Sequence, residues 1–160
     1  MINTKNIYNR DKAVLYAHTW AYKRNPEYYN FDNLGGDCTN FASQVLYSGG
    51  KEMNYKSLYG WYYKDLRNRT PSWSGVEFLY NFLTTNSTPY AERVDVRDIV
   101  YGDLIQLSFT GDEFKHTLVV VEAGSPADIS NILIATHTYN FDYRPLSTYA
   151  WSDIRFLHII

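Results

Sequence analysis

GGDCTNFASQVLYSGG (residues 35–50) carries the chain's single cysteine, bracketed by a glycine pair at each end. After Cys38, Phe41 and Val45 share one helical face and Gly49-Gly50 supplies a stop. The spacing predicts a helix over 38–48 with Asp37 at its N-cap. The thiol therefore sits at a helix mouth, whereas a cysteine that only fills space belongs within a packed face. Unpaired amides and the positive end of the helix dipole stabilise a thiolate there, lowering a pKa of about 8.5 to as little as about 3.5–7.5 beside a basic partner. The same amides offer a site for the oxyanion of a tetrahedral intermediate. Asp37 opposes ionisation of the thiol unless its carboxylate is engaged in capping.

Upstream, residues 9–23 read as a helix with Ala13, Ala17, Trp20 and Ala21 on one face and Asn9 as cap, stopped before Pro26. Downstream, Ser74 and Glu77 form a capping-box pattern ahead of Val76, Leu79, Phe82 and Leu83 at helical spacing. Beyond Pro89 the pattern turns extended. GDLIQLSF (102–109), KHTLVVVEAG (115–124), NILIATHT (131–138) and IRFLHII (154–160) are short, rich in β-branched residues and separated by turn residues, with Gly111-Asp112 marking a hairpin loop. Helices followed by strands imply an α+β domain in which N-terminal helices pack on an antiparallel sheet of about four to six strands. The length, 160 residues, suits one domain over 1–160 with a core of its own.

Composition narrows the function. The net charge of −2, with no run of Lys or Arg, argues against nucleic acid as a partner. One cysteine forms no internal disulfide, so folding does not depend on oxidation. The start, MINTKNIYNRDK, lacks the apolar core of a signal peptide, and no stretch approaches the roughly 18 apolar residues of a membrane span. Sixteen tyrosines in an 18% aromatic chain fit a polar groove for peptide or sugar and fit a tyrosine-rich core equally well. Trp61 and Trp73 are read as core or groove wall, with a substrate groove as the functional alternative. No cofactor and no metal are expected, and the chain is expected to be a monomer.

His116 opens the apolar strand HTLVVV, a placement that presents an imidazole at a sheet edge to a thiolate on a neighbouring helix. If strands 115–124 and 131–138 pair, His137 lies at the same edge and orients the base, as the third member of a triad does. Asn140 and Asp142 are placed to do the same. His18 and His158 read as structural.

With DCTNFASQVLYSGG, WYY at 61–63, SW at 72–73, GDLIQL at 102–107, KHTLVVV at 115–121 and THTYNFDYRPL at 136–146 in this order, the chain resembles the bacterial putative amidase domain family, grouped with papain-like cysteine cell-wall hydrolases. The resemblance runs from about Tyr8 to Leu146. It implies a papain-like fold, Cys38 as nucleophile, His116 as general base and His137 as polar third residue. It implies further that Asp37 and Asn40 shape the oxyanion pocket or cap the helix. Asn140 fits the third position about as well. The substrate implied is an amide bond in peptidoglycan or a related peptide, cut through an acyl-thioester. The family occurs as a module of secreted Gram-positive proteins carrying repeats or wall-binding domains, and this chain shows neither. An excised secreted or cell-wall domain, a phage endolysin unit and a cytoplasmic protein are all compatible with that.

Two other readings compete. Cys38, His116 and His137 could ligate zinc in a metal-dependent hydrolase, although no short-spaced ligand pair is present. An aromatic groove could also serve a non-catalytic wall- or peptide-binding module.

Overall fold

The computed structural model describes residues 7–160; residues 1–6, where the segment read as lacking a leader begins, lie outside the described residues. Two long helices come first, α1 (Arg10–Trp20) and α2 (Cys38–Ser48). A small hairpin follows, β1 (Tyr63–Asp65) with β2 (Asn68–Arg69), then the short α3 (Pro71–Ser74) and α4 (Val76–Thr85). The remaining strands, β3 (Ala91–Val94), β4 (Leu104–Ser108), β5 (His116–Glu122), β6 (Leu133–Thr136), β7 (Phe141–Pro145) and β8 (Asp153–Ile159), form one antiparallel sheet in the order β3-β8-β4-β5-β6-β7. The architecture is α+β, and the four strands read from the sequence are its four central members. Edge strands β3 and β7 have mostly exposed or half-buried residues, which weakens their apolar signal. Among the described residues no helix is long and apolar enough to cross a membrane.

Alternation along β5 builds two cores. Val119 and Val121 point to the helices, joining Phe41, Val45, Leu79 and Leu83. Leu118 and Val120 point the other way, joining Ile105, Leu107, Ile134 and Leu146. Helix α2 packs on β5 and β6 beneath α1 and α3, and every residue from Cys38 to Leu46 is buried. Its polar residues are paired accordingly. Thr39 Oγ1 bonds Thr117 Oγ1 (2.8 Å), Ser43 Oγ donates to Trp73 O (2.8 Å), and Gln44 Oε1 accepts from Tyr16 (2.6 Å). The helix ends as its glycines require: Gly49 N–H donates to Val45 O, and Gly50 takes φ +100°, which a side chain would disfavour.

The core reading of Trp61 and Trp73 holds, and two local expectations fail: their substrate-groove alternative and the Ser74–Glu77 capping box. Trp61 and Trp73 are fully buried, their indole N–H groups donating to Ser43 Oγ (3.0 Å) and Asn40 Oδ1 (2.9 Å), so neither lines a groove. The Ser74–Glu77 capping box does not form, because Ser74 ends α3 and Gly75 caps α4. Glu77 Oε1 instead accepts from Phe114 N–H (3.0 Å) and pairs with Arg155. Asn9 does cap α1, accepting from Lys12 N–H.

Strands β6 and β7 are joined by a tip in which Thr138 (φ 57°) and Tyr139 (φ 63°) are both left-handed, a conformation that favours Gly or Asn. Tyr139 is 85% exposed and packs on little. Tyr139→Gly should therefore raise the unfolding free energy by about 0.5–1 kcal/mol, relief of strain outweighing the glycine entropy cost. Urea denaturation checks this, and an unchanged or lower midpoint would show that the turn is unstrained.

Candidate active site

Cys38 opens α2, and its sulfur lies 3.8 Å from Thr39 Oγ1. Burial pushes the thiol pKa up, against the backbone N–H groups of Thr117 and Thr39 and the Thr39 hydroxyl, which favour the thiolate. The expected depression at the helix mouth is thus overridden, because the same packing that aims the amides at the sulfur also removes water from it. The Thr117 amide belongs to the peptide that joins it to His116, so thiol and base-bearing strand meet at that peptide. Among the described residues no hydrogen bond links the sulfur to a ring nitrogen of His116.

The His116 ring lies instead on the sheet face that carries the second core, 6.3 Å from the Phe109 ring and 6.0 Å from the Tyr149 ring. Burial, seconded by the charge of Arg144, pushes its pKa down to about 4. A pocket of about 330 Å³ opens beside it, walled by Phe109, Phe141, Arg144 and Tyr149. Cys38 is not part of that wall. Across the exposed Tyr139, a second, more polar hollow is bordered by Arg24, Asp32 and Asn140. Sequence reasoning missed Arg144 and Tyr149. Arg144 lies within THTYNFDYRPL, while nothing in local pattern marks Tyr149.

The depressed His116 value makes stability depend on pH. The unfolded chain binds a proton near pH 6.5 and the folded chain only near pH 4, so this contribution is full above 6.5 and is lost as pH falls toward 4. It amounts to about 3 kcal/mol across that window. His116→Asn should flatten the acid decline relative to wild type, measured by urea midpoints at pH 7, 5.5 and 4.5; parallel declines would place the buried proton elsewhere.

His137 takes a different position from the one expected. Strands β5 and β6 do pair, and Thr136 Oγ1 donates to Thr117 O (3.0 Å). The His137 ring, however, stacks on Phe41 of α2 at 4.0 Å. Its Nδ1 donates to Asp37 Oδ2 (2.5 Å) and its Nε2 to the Trp20 carbonyl (2.7 Å). Both nitrogens are spent, so none is left to orient His116 or to bind a metal. The zinc reading loses a ligand for the same reason, and among the described residues no group of three or more His, Cys, Asp and Glu side chains gathers around a common point.

Asp37 holds the N-cap position without capping through its side chain. Its Oδ1 accepts from Phe31 N–H (2.8 Å) and Asn40 Nδ2 (2.8 Å), while Oδ2 meets His137 and, at 3.3 Å, Arg24. Asn40 also donates to Tyr29 O (2.9 Å) and accepts from Trp73. With every polar atom of both side chains engaged, the Asn40 and Asp37 side chains have nothing to offer an oxyanion; they fasten the 29–37 loop to α2. Thr138 Oγ1 accepts from Asp37 N–H (2.8 Å), joining the hairpin tip to the same knot. Asn140 is exposed and accepts from Arg24 (3.0 Å), away from His116. His18 pairs with Asp142 (2.8 Å) and His158 with Asp103 (3.0 Å).

The chain is 38% identical over 122 residues to "Uncharacterized protein YhbB" of Bacillus subtilis (strain 168), an alignment covering 71% of this chain and 37% of that protein. It thus spans little more than a third of that relative's length. No solved structure matches. Residues 7–160 match the family described as "Putative amidase domain", and with a match of that extent the chain belongs to the putative amidase domain family.

Proposed function

We propose that the chain is a cysteine-dependent amide hydrolase of the papain-like cell-wall group, acting on peptidoglycan or a related peptide. The observation that carries this reading is the meeting of the one thiol, at the first turn of α2, with the strand that begins at His116 beside an open pocket. In the resting arrangement both groups are neutral at pH 7, since burial raises the thiol pKa and lowers that of the imidazole. Burial and, more weakly, Cys38 raise the pKa of Tyr149, a wall of the His116 pocket, so the sulfur lies close to that pocket. In the Michaelis complex thiol and imidazole close to hydrogen-bond reach around the start of the strand, as catalytic hydrogen bonds tighten there. His116 then takes the thiol proton, and sulfur attacks the amide carbonyl. First-turn amides of α2 hold the oxyanion. His116 returns the proton to the leaving amine, and water releases the acyl group. The Asp37–His137 pair acts as a brace for the helix mouth rather than as part of a triad. Action at the cell wall follows from the substrate.

Digestion of purified peptidoglycan tests the reading. New amino groups, with fragment masses that each correspond to hydrolysis of one amide bond, are the expected result. Intact wall and intact muropeptides after prolonged incubation at several pH values would overturn it.

A further inference from the structure

Arg144 and Tyr149 are built toward a ligand that the amide reading by itself does not specify. The Arg144 guanidinium lies between two rings, 3.7 Å above Tyr149 and 4.3 Å from Phe141. Its Nε donates to Thr148 Oγ1 (2.8 Å) and Nη2 to Thr148 O (3.3 Å). Rings cover its faces and Thr148 covers one edge, so any further partner must come in the plane, as a carboxylate does. Among the described residues no carboxylate pairs with it. The Tyr149 hydroxyl is buried with no hydrogen-bond partner of good geometry, the Arg144 side chain being its polar neighbour, and it borders the same pocket. Lys115, also on the wall, is already paired with Glu113 at 2.7 Å.

We propose that the pocket beside His116 is a carboxylate subsite, in which Arg144 and the Tyr149 hydroxyl hold a free carboxylate of a peptide. One unpaired cation against apolar walls matches a single negative charge; a dianionic phosphate would leave one charge uncompensated in the pocket. The assignment rests on the hydrolase reading for the bond that is cut and stands apart from it for binding. A carboxylate seated on Arg144 would also offset the cation that disfavours protonation of His116, so the right substrate would improve its own base. The carboxylate could come from a chain terminus or from an acidic side chain.

Calorimetry on the Cys38→Ala protein, which binds without turnover, separates these sources. Three probes are used, each in L and D form: acetyl-dialanine with a free terminus, acetyl-alanyl-glutamate amide with only a side-chain carboxylate, and acetyl-dialanine amide with none. At least one acid should bind about tenfold or more tighter than the amide, the gain expected of charge-assisted hydrogen bonds. Arg144→Gln should erase the preference, and Tyr149→Phe, which removes one oxygen and keeps the ring, should reduce it several-fold. Acids binding no tighter than the amide, or a preference that survives in both variants, would overturn the subsite. A preserved preference in a protein that leaves peptidoglycan intact would sink the hydrolase reading and leave the subsite standing.

Discussion

Cys38→Ala is expected to lower amide hydrolysis by about 10⁴-fold or more, since removing a nucleophile leaves only binding and oxyanion contributions. The chain holds no second thiol to take its place. The substitution removes one sulfur from a buried site and with it the 3.8 Å contact to Thr39 Oγ1, which keeps its bond to Thr117 Oγ1, so the protein should remain folded at a cost of about 1 kcal/mol. Loss of fragment release with an unchanged circular-dichroism melt would therefore report chemistry and not collapse. Cys38→Ser sharpens the comparison, because a hydroxyl at that place is far harder to ionise. Retained activity in the alanine protein would end the thiol mechanism outright.

Asp37→Ala should be the most damaging substitution for stability. The carboxylate is completely buried and joins four partners: Phe31 N–H, Asn40, His137 and Arg24. Removing it strands donors where water does not reach, and breaking a buried pair of this type costs about 3–5 kcal/mol. That is a large fraction of the total stability of about 5–15 kcal/mol expected for a domain. Urea denaturation measures the loss. Asp37→Asn keeps the volume and an acceptor for Phe31 N–H, so it should fall between the two. A loss under about 1 kcal/mol for the alanine protein would mean that the knot is replaceable by solvent. Activity in Asp37→Asn, assayed well below its melting temperature, separates bracing from catalysis: a brace loses stability first and rate only modestly.

Local pattern was enough for much of the fold. The first helix with its Asn9 cap, the helix from Cys38 to Ser48 and the four inner strands follow from periodicity, because each buries a face whose spacing is written in neighbouring residues. The two edge strands escaped, since they bury little and so carry little apolar signal. The capping box failed because Glu77 had a better use across the fold, against Phe114 and Arg155.

The site divides in the same way. Sequence by itself determined that one thiol opens a buried helix and that one histidine opens a buried strand, because helix and strand starts are local events. Which groups those side chains face was decided only by tertiary packing. The β5 pleat sends His116 toward Tyr149 and Arg144, while α2 draws His137 onto Phe41 and Asp37. Burial also reversed the expected direction at the thiol. A buried polar group must find its partner among whatever the chain brings near, and residues a hundred positions away leave no trace in the local spacing.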